Sequence, residues 1–164
     1  MYTPFHSNAV IARLLLLFLV AACNSPLVSR THPPEPAPYD SLLATKLGAD
    51  DYGMHHYVMA LLKSGPNRDQ DSVTAAQLQR AHLDNIRRLA EEGKLVLAGP
   101  FLDDGDIRGI YLFDVRTLEE ASSLVSTDPA IQAGRLVMEL HPWYGSAALI
   151  QVNEWHKKIA KESI

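Results

Sequence analysis

His82, Asp128, Arg68 and Asn67 are the side chains through which this chain could do chemistry. Imidazole changes charge closest to neutral pH, so histidine is the usual acid or base in a proton transfer. His82 falls on one stripe of a predicted helix with Leu78, Ile86 and Leu89. That place suits a satisfied core histidine or a half-buried base. Asp128 stands before Pro129, where it ends a helix and opens a turn, unless its carboxylate accepts a functional hydrogen bond. Arg68 and Asn67 lie in a loop rich in turn residues, Ser64-Gly65-Pro66-Asn67-Arg68-Asp69. They either shape that loop or hold a carboxylate or phenolate at a pocket mouth. Tyr57 and Tyr111 fall in predicted strands; they could line a pocket, but packing is the default role of an aromatic ring there.

Other groupings are weaker. His55 and His56 are adjacent in a strand and point to opposite faces, so they cannot easily share an ion. His141 stands apart, and Asp103-Asp104-Gly105-Asp106 lacks the bidentate glutamate of a calcium loop and reads as a hairpin turn. No metal and no cofactor is therefore expected. A formal net charge of −4 gives no basic footprint, so no nucleic-acid partner is expected either.

The amino terminus carries a different kind of chemistry. Arg13 precedes the apolar run Leu14–Ala22, which is short for a membrane span and of signal-peptide length. It ends in small residues at Val20-Ala21-Ala22-Cys23, a segment that resembles the lipobox of bacterial lipoproteins, with Cys23 as the lipidated residue. Cys23 is the only cysteine, so no disulfide and no cysteine metal cluster can form within the chain. Pro33-Pro34-Glu35-Pro36-Ala37-Pro38 favours extended backbone and reads as a tether. The expected organisation is a signal peptide over 1–22, a Pro-rich tether over 23–53, a domain over 54–145 and a C-terminal helical tail over 146–164. Lipidation would place the protein in the cell envelope, held to a membrane through its lipid anchor. Asn24, where an aspartate favours inner-membrane retention, points to the periplasmic face of the outer membrane.

The elements that must position the candidate residues follow from hydrophobic period and turn chemistry. His56–Leu62 reads as a strand; a helix opens near Ser72 or Thr74, with Thr74 and Gln77 as a capping box, and ends at Glu92-Gly93. Lys94–Phe101 and Arg108–Val115 read as strands joined by the acidic hairpin. Thr117-Leu118-Glu119-Glu120 caps a second helix that stops at Asp128-Pro129. A helical turn over Ala130–Gly134 leads to a strand over Arg135–Leu140. The order βαββαβ is the α+β, ferredoxin-like arrangement, an antiparallel sheet with both helices on one face. The first strand is apolar on both faces, so the uncovered face calls for a partner, and a homodimer packed sheet to sheet is expected. The tail offers a weak apolar stripe in Leu149, Val152, Trp155 and Ile159.

Lys63-Ser64-Gly65-Pro66-Asn67-Arg68, Ala81-His82-Leu83, Gly93-Lys94-Leu95-Val96-Leu97-Ala98-Gly99-Pro100-Phe101 and Thr127-Asp128-Pro129-Ala130, in that order and spacing, resemble the YCII-related family from about Tyr57 to Pro142. Leu140–Gly145 resembles exported members of it. The resemblance implies a ferredoxin-like fold of the dimeric α/β-barrel type. It also implies that His82 and Asp128 match the histidine and aspartate that have been read as an active-site pair. A few members act on chlorinated aromatic or lactone intermediates, and most have no assigned reaction. In such a pair Asp128 would accept from one ring nitrogen of His82 and fix its tautomer. No serine or cysteine nucleophile accompanies them, so isomerisation or elimination fits better than acyl transfer. Two classes of function remain: a small acid–base enzyme acting on a small-molecule substrate, and a non-catalytic ligand-binding or envelope-associated module. The latter would have His82 packed in the core with no cavity beside it.

Overall fold

The computed structural model describes residues 37–162, and the chain from Pro38 onward forms one unit. In chain order its elements are α1 (Ser41–Lys46), β1 (Met54–Ser64), α2 (Ser72–Glu91), β2 (Leu95–Pro100), β3 (Ile107–Phe113), α3 (Leu118–Val125), α4 (Pro129–Gln132), β4 (Leu136–Ser146), a 3₁₀ turn (Ala147–Gln151) and α5 (Val152–Ile159). The sheet order is β2-β3-β1-β4, with every neighbouring pair antiparallel. With α2 and α3 as the connections, this is the ferredoxin-like βαββαβ topology.

Register decides which side chains share a face. Ala60 pairs with Tyr111 on one side and with Leu140 on the other, and Tyr111 pairs with Ala98. On that face Val58, Ala60, Leu62, Tyr111 and Phe113 join Leu89 of α2 and Ala121 of α3 in the main core. The opposite face carries Tyr57, Val96 and Leu112, packed with Met59, Leu97, Trp143, Leu149 and Ile150. The expectation of an uncovered second face is thus corrected at one end. The 3₁₀ turn lies there, because Leu149 and Ile150 are apolar and Asn153 ties α5 to the sheet, donating to the Leu95 carbonyl at 2.7 Å.

Several boundaries differ from the sequence expectation. Residues 1–22, Cys23 and Asn24 lie outside the described residues. The segment 23–53 is not tether throughout: Asp40 caps α1 by accepting from the Leu42 and Leu43 N–H groups, and Leu47 is buried. The cap of α2 is Asp71, whose Oδ1 accepts from Val73 and Thr74 N–H while Oδ2 takes the Thr74 hydroxyl. A carboxylate two and three residues upstream outcompetes the Thr74–Gln77 box for the same free donors. Gly93, at φ +71°, ends α2 as its position after a helix requires. β4 runs on to Ser146 because β1 offers it a partner from Met54 to Ser64. In α5, Trp155 and Ile159 are exposed rather than inward, while Leu149 and Ile150 of the 3₁₀ turn pack on the sheet instead.

Tyr57 supplies a test of the covered face. It is buried, donates its hydroxyl to the Ser146 carbonyl at 3.0 Å, and burial, with the nearby Asp114 charge second, raises its phenol from 10.0 to about 12. A folded-state value above the unfolded one stabilises fully below pH 10, and that contribution is lost as pH rises towards 12. Urea unfolding across this window should show stability falling as pH rises. Tyr57→Phe should flatten part of the slope, and an unchanged slope in the variant would refute the assignment.

Candidate active site

Three elements bring the site together. α2 presents its buried residues His82, Asn85 and Leu89 to the sheet. The α3–α4 connection places Asp128 at the N-cap of α4, with Pro129 preset for the first helical position. β3 contributes Tyr111 on the same sheet face as Ala60. His82 Nδ1 and Asp128 Oδ2 are 2.6 Å apart, and the Tyr111 hydroxyl lies 3.3 Å from His82 Nε2, the two rings being stacked at 19°.

Asp128 is wholly buried, and such a carboxylate is tolerated only with its lone pairs occupied. Oδ1 accepts from the Ala130 N–H at 2.9 Å and Oδ2 from His82. A carboxylate only accepts, so Nδ1 carries the hydrogen and Nε2 keeps its lone pair on the ring edge away from Asp128. Burial first, and then the Asp128 charge, raise the Tyr111 phenol far above its ordinary range. Tyr111 therefore stands beside Nε2 as a neutral hydroxyl that can donate.

The pair is locked from behind. Arg88 Nη2 donates to Asn85 Oδ1 at 2.8 Å and to Thr127 Oγ1 at 2.9 Å, while Arg88 Nη1 reaches Glu92 Oε1 at 2.7 Å. Thr127 Oγ1 also lies 3.1 Å from Asn85 Oδ1. This network joins α2, one turn beyond His82, to the residue before Asp128. It leaves Asn85 Nδ2 buried without a hydrogen-bond partner among the described residues.

His82, Tyr111 and Arg68 line a cleft of about 310 Å³ whose apolar wall includes Leu62, Leu83 and Ile86. Arg68 Nη1 donates to the Arg135 carbonyl at 3.2 Å, and Arg135 and Arg108 also line the cleft. Asn67 does not line it. Its Nδ2 donates to the Ala133 carbonyl and its N–H to Gly134, so Asn67 shapes the crossing of two loops. Gly65 makes that crossing feasible, because a Cβ there would come 2.1 Å from the Gly134 carbonyl oxygen.

Of the two tyrosines that could line a pocket, Tyr111 lines this cleft and Tyr57 does not; Arg135 and Arg108 were missed as site residues. For Tyr111 the signal was there, since a buried tyrosine hydroxyl needs a partner. His55 is the other histidine paired with a buried-side carboxylate: Nε2 meets Asp114 at 2.9 Å and Nδ1 the Gly48 carbonyl at 3.0 Å. Both of its nitrogens are spent, one on the segment after α1 and the other on the residue after β3, so it is structural. His56 is exposed, and among the described residues no group of three His, Cys, Asp or Glu side chains is placed to hold a metal ion.

Residues 57–144, more than half of the chain, match the YCII-related domain. The chain belongs to the YCII-related family. Among solved structures it is similar to the 5-chloro-2-hydroxyhydroquinone dehydrochlorinase of Burkholderia phenoliruptrix AC1100 in complex with 2,5-dihydroxybenzoquinone. That likeness has 22% identity over 54% of this chain and 93% of that one, with a TM-score of 0.40. No curated protein gives a significant sequence match. The family domain holds both His82 and Asp128, and the cleft beside them fits a small-molecule enzyme.

The locking network generates a prediction. Arg88→Ala removes a charged donor shared by Asn85 and Thr127 and should lower stability by about 1–3 kcal/mol. The low-field Nδ1 proton of His82 in NMR spectra should broaden as its aspartate loosens. A variant that loses stability with that resonance unchanged would show that Arg88 does not position the pair.

Proposed function

We propose that this protein is a small acid–base enzyme, a lyase or isomerase, that moves a proton on a small organic substrate using His82 and Asp128. One observation carries the reading: Asp128 takes His82 Nδ1 at 2.6 Å beside a cleft that His82 lines, which leaves Nε2 as the available base. In this scheme Nε2 removes a proton from carbon next to a carbonyl or phenolic centre. The Tyr111 hydroxyl donates to the oxygen that gains negative charge, and Asp128 stabilises the imidazolium that forms. His82 then returns the proton to a different atom, or the substrate expels its leaving group. Arg68 anchors an anionic substituent; Asn67 supports Arg68 through the loop rather than touching substrate. A binding module would have His82 packed without a cavity, and the cleft favours the enzyme reading.

The test is deuterium incorporation, followed by NMR in D₂O, across a panel of small phenols, oxo acids and lactones. His82→Ala should lower exchange or turnover of any responsive compound by about 10²–10⁴-fold. Asp128→Asn keeps an N-cap side chain but can donate to the ring and favour the wrong tautomer, so it should also lose activity by a large factor. Activity that survives His82→Ala would rule out the proposed base.

We also propose that the mature protein is an exported, lipid-anchored homodimer on the periplasmic face of the outer membrane. The support is the Val20-Ala21-Ala22-Cys23 segment after its apolar run, Asn24 behind it, and Leu61, an apolar residue only partly buried on the second sheet face and outside the cluster packed there. In a Gram-negative host, radiolabelled palmitate should enter the wild type but not Cys23→Ser, and the label should fractionate with the outer membrane. Equilibrium sedimentation of the detergent-free Cys23→Ser protein should give a dimer that Leu61→Glu dissociates. Equal labelling of both proteins would remove the lipid anchor, and a monomer would remove the dimer.

A further inference from the structure

We propose that the cleft over His82 takes an organic dianion about the size of one substituted ring, with one anionic group at Arg68 and Arg135 and the other at Arg108. This rests on the cleft being the active site and adds the substrate class to that reading. Arg68, Arg108 and Arg135 all line the cleft, and none forms an ion pair with a carboxylate among the described residues. Their partners are neutral: Arg68 donates to the Arg135 carbonyl, Arg135 to Gln70 Oε1 at 2.9 Å and Arg108 to the Gly105 carbonyl at 3.4 Å. The outward arginines of α2 differ, for Arg80 and Arg87 meet Asp84 and Arg88 meets Glu92. Fork-shaped donors left without an anion around one concavity are the usual means of holding carboxylates.

The cleft offers no carboxylate of its own to answer them. Asp128 is buried behind His82 with both oxygens taken. A cationic ligand would meet three like charges, and a neutral one would leave them unanswered. The spacing argues for two anionic groups rather than one. Gly109, next to Arg108, pairs with Leu62 of β1, and Leu136, next to Arg135, pairs with Ser64 on the other edge of β1. The backbone positions that carry the two arginines thus flank β1 on either side, about two strand spacings or roughly 10 Å apart. His82 and Tyr111 lie over the face between them. Leu62, Leu83 and Ile86 supply apolar wall for a ring. A cleft of about 310 Å³ has twice the volume of a cavity that holds benzene, about 150 Å³, so a ring with two substituents fits.

Calorimetric titration of the purified protein with terephthalate, benzoate and benzamide tests this. Terephthalate should bind about tenfold or more tightly than benzoate, the worth of one further charge-assisted contact, and benzamide should not bind. Arg108→Gln and Arg135→Gln should each bring terephthalate to the level of benzoate. Terephthalate no tighter than benzoate, or unaffected by both substitutions, overturns the proposal. Repeating the titration in His82→Ala separates the two readings. Dianion binding that persists while activity survives the loss of His82 removes the base and keeps the ligand class. Proton exchange that depends on His82 with no preference for the dianion does the reverse.

Discussion

The site depends on keeping one carboxylate out of water. Asp128 has no solvent contact, and an uncompensated buried carboxylate would cost several kcal/mol. Three features of the fold exist around it. The first turn of α4 offers its Ala130 N–H, α2 turns His82 towards it, and β3 brings the Tyr111 hydroxyl alongside. Each comes from a different part of the chain, and the sheet register that aligns Tyr111 with Ala60 makes them converge. Removing the acid would therefore remove the reason for the histidine's orientation, and removing the histidine would leave a buried charge short of a partner.

The two histidine–aspartate pairs among the described residues show why pairing alone does not make a site. His55 is as buried as His82, and its contact with Asp114 is of ordinary length. Yet its second nitrogen faces the Gly48 carbonyl, so the ring works as a two-ended clasp holding the segment after α1 to the sheet. His82 differs in one respect. Its second nitrogen meets only a neutral hydroxyl, which can turn its hydrogen to a ligand in the cleft beside it. The lone pair left over is what separates a base from a fastener.

Much of this was legible in the sequence because local chemistry and global topology agree. The Thr117 cap appears as read, its hydroxyl accepting from the Glu120 N–H, and Gly93 closes α2. The order βαββαβ followed from period and turns alone. What could not be read was the outcome of competition between neighbours. Asp71 and Thr74 both suit a cap, and only the backbone path shows the carboxylate taking the free donors. Trp155 and Ile159 form a stripe on paper, but Leu149 and Ile150 reach the sheet first. Asn67 and Arg68 are adjacent in one loop, and the close crossing of Gly65 over Gly134 sends one to the loop junction and the other to the cleft. Arg135 and Arg108 lie far apart in sequence, and their common place depends on strand pairing that no local pattern carries.

The placement of these groups divides the work between rigid and adaptable parts. His82, Asp128 and Tyr111 sit on a helix, a helix cap and a central strand, with Arg88, Asn85 and Thr127 bracing them from behind. Proton transfer needs heavy atoms held within a few tenths of an ångström, which such elements supply and loops do not. Arg68 and Arg135 sit instead at the ends of connections, with neutral partners that a ligand can replace at little cost. Changing those rim residues would alter which anion enters without disturbing the buried acid or the register behind it. The reacting geometry and the choice of ligand are thus set by different parts of the chain. The physical reason is that a buried charge fixes its surroundings, whereas a guanidinium at the rim keeps water as an alternative partner.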